Sequence, residues 1–359
     1  LTWIEVIKHP WGFLFFLFLC FAVLNSCQGE APTLITSAKP TLPNAVSLLK
    51  ESEVQAIPLL GPASQDRAEI SGMAWCGEDL ILLPQYPDRF EKDGTTSVFG
   101  ITQVALEDYF SGANNDGIEP DLIPFDSGGL ERILAGFEGF EAIVFNGTDF
   151  YVSIEARQAD GMMGYLVKGT VASDCSQLVI DPDSLVSILP QADIGNMSHE
   201  TLVIHQNQIY AIYEANGVHV NPDPVAHVFD LSLEAHSTID LPNIEYRITD
   251  ATEPKESGEF WAINYYFPGD ASDLELAPDQ IALVYGVGIS HQDAEPVERL
   301  IEFRIDKDDV NLIDQAPIYL ELLDEDSRNW EGIVRYGDGF LLVTDKFPTT
   351  ILAYVEPVN

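Results

Sequence analysis

The residues with the most chemical potential are polar pairs that recur at one spacing. Ser71 and Gln85, Glu141 and Glu155, Glu200 and Glu214, Asp250 and Asn264, and Glu331 and Asp345 are each 14 residues apart. In the four clearest copies, ISGMAWCGEDLILLPQ (70–85), FEAIVFNGTDFYVSIE (140–155), HETLVIHQNQIYAIYE (199–214) and WEGIVRYGDGFLLVTD (330–345), the pair brackets two short apolar runs and a Gly- or Asn-bearing turn. That pattern is a β-hairpin. A midway turn sets residues 14 apart opposite one another, so every hairpin is expected to carry its polar pair at its open end. Like charges facing across a sheet repel. Three readings answer that repulsion. A hard cation, Ca²⁺ above all, would be held by a subset of Glu141, Glu155, Glu200, Glu214, Asp250, Asn264, Glu331 and Asp345. A proton shared within a pair would supply a general acid beside a base. Plain hydration of a channel, with the acids capping backbone N–H groups, is the third. Catalytic candidates are Glu141, Glu200, Glu331 and His199, the neighbour of Glu200; His205 falls in a hairpin turn at the opposite end.

The scarce basic residues gather near the same ends. Arg67, Arg247 and Arg328 precede hairpin starts, while Arg157 and Lys346 follow hairpin ends. They form either ordinary salt bridges across loops or a rim for a phosphate or carboxylate, which guanidinium groups grip bidentately. Tyr265, Tyr266, Phe267 and Asp270, directly after Asn264, are placed to cover such a site or to pack a long loop. There is no G-x-S-x-G elbow, H-E-x-x-H, P-loop or dinucleotide glycine pattern.

The elements that must position these residues also repeat. Each hairpin is followed by a third strand (98–104, 163–171, 226–233, 298–305, 351–355), and four of them by an outer strand (121–126, 177–181, 238–248, 317–323). The last unit runs out of chain, and VQAIPLL at 54–60 is expected to complete it. The fold class is therefore all-β, a β-propeller of four-stranded blades, in which an N-terminal strand removes the free sheet edge. Unit starts are 70, 59, 50 and 81 residues apart, which implies long insertions. Five blades follow from five hairpins; IALVYGV, within 265–290, is strand-like enough to seed a sixth.

Before this body, 1–26 reads as a signal peptide with an apolar run from Trp11 to Leu24, and Leu24-Asn25-Ser26-Cys27 reads as a lipoprotein cleavage site. Lipidation of Cys27, simple secretion and an uncleaved anchor are the alternatives. Residues 27–52, rich in Pro, Ser and Thr, read as a tether, and 53–359 as a single domain. These features point to a bacterial cell envelope, with the membrane reached through the lipid anchor. Fifty-eight acids against 17 basic residues, a net charge of −41, exclude a nucleic-acid partner and concentrate cations. Cys76 and Cys175 are either two buried small hydrophobes or, in an oxidising compartment, a disulfide.

With GEFWAINYYFPGD (258–270), ERLIEFRI (298–305) and NWEGIVRYGDGFLLVTDKFPTTILAYV (329–355), these hairpins resemble the family called esterase-like activity of phytase, or phytase-like, domain, over about 65–355. The resemblance implies a secreted or lipid-anchored β-propeller acting on phosphate or other esters. Glu141, Glu200 and Glu331 would be its recurring acids and Glu155, Glu214 and Asp345 would close the hairpins; Ser71 and Gln85 depart from the pattern. Two functions follow: a metal-assisted hydrolase with one glutamate as general base, or a cation-stabilised propeller that binds an envelope component without turnover.

Overall fold

The computed structural model describes residues 47–159, 161–323, 327–347 and 349–358; the segment read as a signal peptide and Cys27 lie outside the described residues. Alternating apolar residues build five four-stranded antiparallel units. The first holds Ile70–Cys76, Asp79–Pro84, Thr95–Thr102 and Asp121–Asp126. The second holds Phe137–Asn146, Asp149–Gln158, Gly161–Val171 and Leu178–Ile180. Thr201–His205, Gln208–Ile212, Val225–Asp230 and His236–Asp240 make the third. Arg247–Ala251, Glu259–Tyr266, Val297–Ile305 and Ile318–Leu320 make the fourth. The fifth has Trp330–Tyr336, Gly339–Thr344 and Leu352–Val355, and Val54–Ile57 pairs antiparallel on its outer edge. First strands of successive units touch in order, and that of the fifth touches that of the first. The ring is closed: this is a five-bladed β-propeller, and the N-terminal strand completes the C-terminal blade.

Where sequence and structure part, the reasons are local. The candidate sixth blade is absent, because IALVYGV enters the helix Gln280–Tyr285, whose start is capped by Asp279 accepting from Ile281 and Ala282 N–H. The segment 238–248 is not one outer strand; the third blade ends at Asp240 and the fourth begins at Arg247. Residues 48–52, given to the tether by composition, pair in parallel with Val287–Gly288 and Tyr319–Leu320, so the incoming chain runs along the fourth blade before closing the fifth. Cys76 and Cys175 form a disulfide that ties the first blade to the second.

The hairpins meet at their polar ends through a shared device. In the first, second and fifth blades the register slips by one residue at Ser71, Glu141 and Glu331: Ile70 faces Pro84 but Gly72 faces Leu83, and the other two follow suit. Each polar residue is thus the extra residue of a β-bulge, which re-aims its side chain. Residues 14 apart are consequently not opposite: Glu155 faces Gly139, and Gln85 and Asp345 donate N–H to the carbonyls of Glu69 and Asn329. The next residue is small because neighbouring first strands converge there. A Cβ on Gly72 would stand 3.1 Å from the Ala142 backbone, and one on Gly332 2.9 Å from Met73 Cβ. Ser71 Oγ donates to Phe140 O (2.5 Å) and Thr249 Oγ1 to Trp330 O (2.6 Å), fastening adjacent blades.

Candidate functional site

At the polar ends lies a cavity of about 590 Å³, lined by Ser71, Glu141, Glu200 and Glu331 at the starts of four first strands. Gln85, Glu155 and Asp345 join from the second strands. Arg247, at the start of the fourth blade, occupies the centre of charge. Its Nε meets Glu214 Oε1 head-on, and its Nη groups lie 3.7 Å from Glu200 Oε2, 3.6 Å from Glu331 Oε1 and 3.6 Å from Asp270 Oδ2. One guanidinium therefore answers four carboxylates. Glu141 accepts from Gln85 Nε2 at 3.2 Å. Glu155 Oε1, Glu200 Oε2 and Glu214 Oε2 are buried without a hydrogen-bond partner.

Such crowding fixes the protonation states. Burial, then Glu155, pushes Glu141 well above the usual carboxylate range. Burial and the charges of Glu214 and Glu138 lift Glu155 to about 8, against the opposing pull of Arg247 and Arg157. Glu200 and Glu331 are raised well above their ordinary values, chiefly by burial. Even Glu214 is raised, since burial outweighs its contact with Arg247. At neutral pH the mouth is thus a set of carboxylic acids beside ion-paired carboxylates, the condition for moving protons.

The structure gathers only part of the sequence-based set. Of the eight expected ligands, Glu141, Glu155, Glu200, Glu331 and Asp345 line the cavity. Glu214 sits behind Arg247. Asp250 is buried and accepts from Ile333 N–H at 2.8 Å, holding the fourth blade to the fifth. Asn264 is buried, its amide donating to the Glu245 and Arg247 carbonyls and accepting from Arg299. Among the described residues no three acidic, imidazole or thiol side chains form a metal ligand group. Of the five basic residues, Arg247 and Lys346 reach the cavity, Lys346 bonded to Glu69 at 2.9 Å. Arg67 hydrogen-bonds Gln65 and lies over Phe90, Arg157 pairs with Glu138, and Arg328 is buried on Glu298. His199 is buried against Tyr213 and His227 rather than in the cavity, and burial holds it neutral. Tyr265 and Phe267 line the cavity, whereas Tyr266 stacks on Tyr246.

Glu69, Glu138, Tyr86, Asn196, Ser327 and Asn329 also line it, and Glu138, Tyr86, Asn196 and Ser327 carry no repeat signal that would find them. Glu69 and Asn329 were reachable: they precede Ser71 and Glu331 by two residues, the position that the bulge sets opposite Gln85 and Asp345.

The molecule is thus a five-bladed propeller with an acid-lined mouth organised by one arginine. No protein-family model matches the sequence, and no curated protein matches it. Solved structures do. A putative glycoside hydrolase from Parabacteroides distasonis is similar at 10% identity and TM-score 0.43, over 86% of this chain and 88% of that one. An α-L-arabinanase mutant from Cellvibrio cellulosa has 9% identity and TM-score 0.43 over 80% and 90%. A structure described with the GH130 family of mannoside phosphorylases has 10% identity and TM-score 0.45 over 89% and 98%. What this chain does must be read from its own residues.

Proposed function

We propose that the mouth is the active site of a hydrolase that cleaves a glycosidic bond in a neutral, hydroxyl-rich substrate by carboxylic acid and carboxylate chemistry. The observation that carries this is Glu155: buried, lining the cavity, with Oε1 free of partners and its carboxyl lifted to about 8. A protonated Glu155 is matched to donate to a leaving oxygen at neutral pH. Glu200 and Glu331, held by Arg247, are placed, once ionised, either to stabilise positive charge on the sugar ring or to activate water. Arg247 keeps those carboxylates oriented and limits their mutual repulsion.

Charge argues for the substrate. Seven acids and two basic residues line the cavity, and both basic groups are engaged by acids of this chain. A phosphate dianion, the ligand expected from the phytase-like resemblance, would find neither basic group free to hold it. Hydroxyl groups instead find acceptors on the carboxylates and donors on the carboxylic acids.

The unpartnered oxygens of Glu155 and Glu200 favour a second reading. A Ca²⁺ ion bound there would need Glu155 and Glu200 drawn together with Glu141, Glu331 or Asp345, which do not form a ligand group as they stand, and would supply Lewis-acid polarisation of an ester. Purified protein should be assayed on aryl glycosides, aryl acetate and aryl phosphate, each with chelator and with Ca²⁺. Glycoside turnover that persists in chelator and is lost in Glu155→Gln supports acid–base hydrolysis. Turnover of phosphate or acetate that requires Ca²⁺ supports the metal reading, and absence of all turnover leaves the mouth a binding site.

A further inference from the structure

We propose that Phe267 and Phe347 form an aromatic clamp at the lip of the mouth that grips an uncharged sugar ring of the substrate, outside the acid-lined centre. This rests on the reading of the mouth as a site for neutral, hydroxyl-rich substrates. The chain has 19 phenylalanines, and among the described residues only Phe110, Phe267 and Phe347 are exposed. Phe267 at 48% and Phe347 at 58% exposure both line this one cavity. They come from loops of adjacent blades, Phe267 directly after the strand Glu259–Tyr266 and Phe347 after Gly339–Thr344.

Neither ring hangs on a free loop. Phe267 O accepts from Asp270 N–H at 3.0 Å, and the ring rests against Gly269, where a Cβ would collide with it. Phe347 N–H donates to Asp345 Oδ1 at 2.7 Å, and its carbonyl accepts from Asn329 N–H at 3.1 Å. The backbone that presents Phe347 is thus bonded to two residues of the mouth, and that of Phe267 to Asp270 beside Arg247. Leaving a phenyl ring in water forgoes the stability that burying it would bring. Two such rings, fixed beside one polar cavity, mark a place where an apolar face is meant to be covered.

The ligand class follows from what surrounds them. Both basic groups of the lining are already engaged by acids of this chain and so do not recruit an anionic chain, and the carboxyl groups reward hydroxyls rather than an alkyl surface. A sugar ring meets both demands, with C–H faces for the phenyl rings and hydroxyl edges for the acids.

The test uses Glu155→Gln protein, titrated calorimetrically with neutral trisaccharides (arabinotriose, mannotriose, cellotriose) and with spermidine as a cationic control. At least one trisaccharide should bind saturably. Phe347→Ala and Phe267→Ala in that background should each weaken it by roughly tenfold, the scale of one lost ring contact, and Phe347→Trp should restore it. In otherwise native protein the alanine variants should raise KM and leave kcat unchanged. The clamp is overturned if no trisaccharide binds, if the alanine variants bind as well as their parent, or if spermidine binds more tightly than any sugar. Binding by the clamp without turnover by the native protein would retire the hydrolase reading and leave the clamp standing.

Discussion

At the mouth, a single arginine decides how many acids can be buried together. Arg247 touches or approaches Glu200, Glu214, Asp270 and Glu331, and removing it would leave those carboxyl groups buried without a counter-charge. Arg247→Met should therefore cost about 3–5 kcal/mol at pH 7, the scale of a broken buried ion pair, and less at pH 5, where more of the carboxyls take up protons. Denaturant unfolding at the two pH values checks this; an equal loss at both would contradict it. Glu155 gives the opposite pH signature to an ordinary surface acid. Its folded pKa of about 8 lies above the unfolded value, so the native state binds the extra proton between roughly pH 4.5 and 8. Stability from this group is full below that window and is lost as pH rises through it. The thermal midpoint should fall from pH 5 to pH 8, and Glu155→Gln should flatten the fall. These acids were legible in the sequence because one spacing repeated. Their neutralisation was not, since nothing about Arg247 distinguishes it from Arg67 or Arg328 until the blades bring Glu214 beside it.

Among the elements, the hairpin is the unit that the sequence reveals, and the bulge is what it hides. A constant 14-residue interval records the hairpin faithfully but cannot say that Ser71, Glu141 and Glu331 are each an extra residue. The small residue that follows each one is the trace of that geometry. A side chain on Gly72 would run into the Ala142 backbone of the next blade. Gly72→Leu should destabilise by about 1–3 kcal/mol, the usual range for overpacking, with accompanying loss of activity because Ser71 and Glu141 would be displaced. Ser71→Ala, which removes the hydroxyl's bonds to Phe140 O and, more weakly, Leu83 O, should cost about 1 kcal/mol. The apolar run at 281–287 misled for a different reason: length and hydropathy suit a strand, and only the capping carboxylate of Asp279 decides for a helix.

The whole molecule is a ring, and a ring is as strong as its closure. Val54–Ile57 completes the fifth blade, and residues 48–52 first bind along the fourth, where Glu51 accepts from Ser290 and pairs with His291. Protein beginning at residue 47 should fold, whereas protein beginning at 59 should lose the cooperative transition. The Cys76–Cys175 bridge spans 99 residues between the first two blades. Replacing both by serine should lower stability by about 2–4 kcal/mol, more than either blade's surface substitutions. The ring and its closing strand were readable from repeats alone; the bridge was not, because cysteines 99 apart carry no spacing signal.

All of this converges on a mouth in which a buried carboxyl group keeps its proton at neutral pH. The most direct measurement is a carbon-13 NMR titration of protein labelled at the glutamate side-chain carboxyls, with Glu155→Gln to assign the signal. The account predicts one resonance with a midpoint near 8 that vanishes in the variant. A Glu155 carboxyl that is ionised throughout, titrating below about 5 as an ordinary glutamate does, would contradict it.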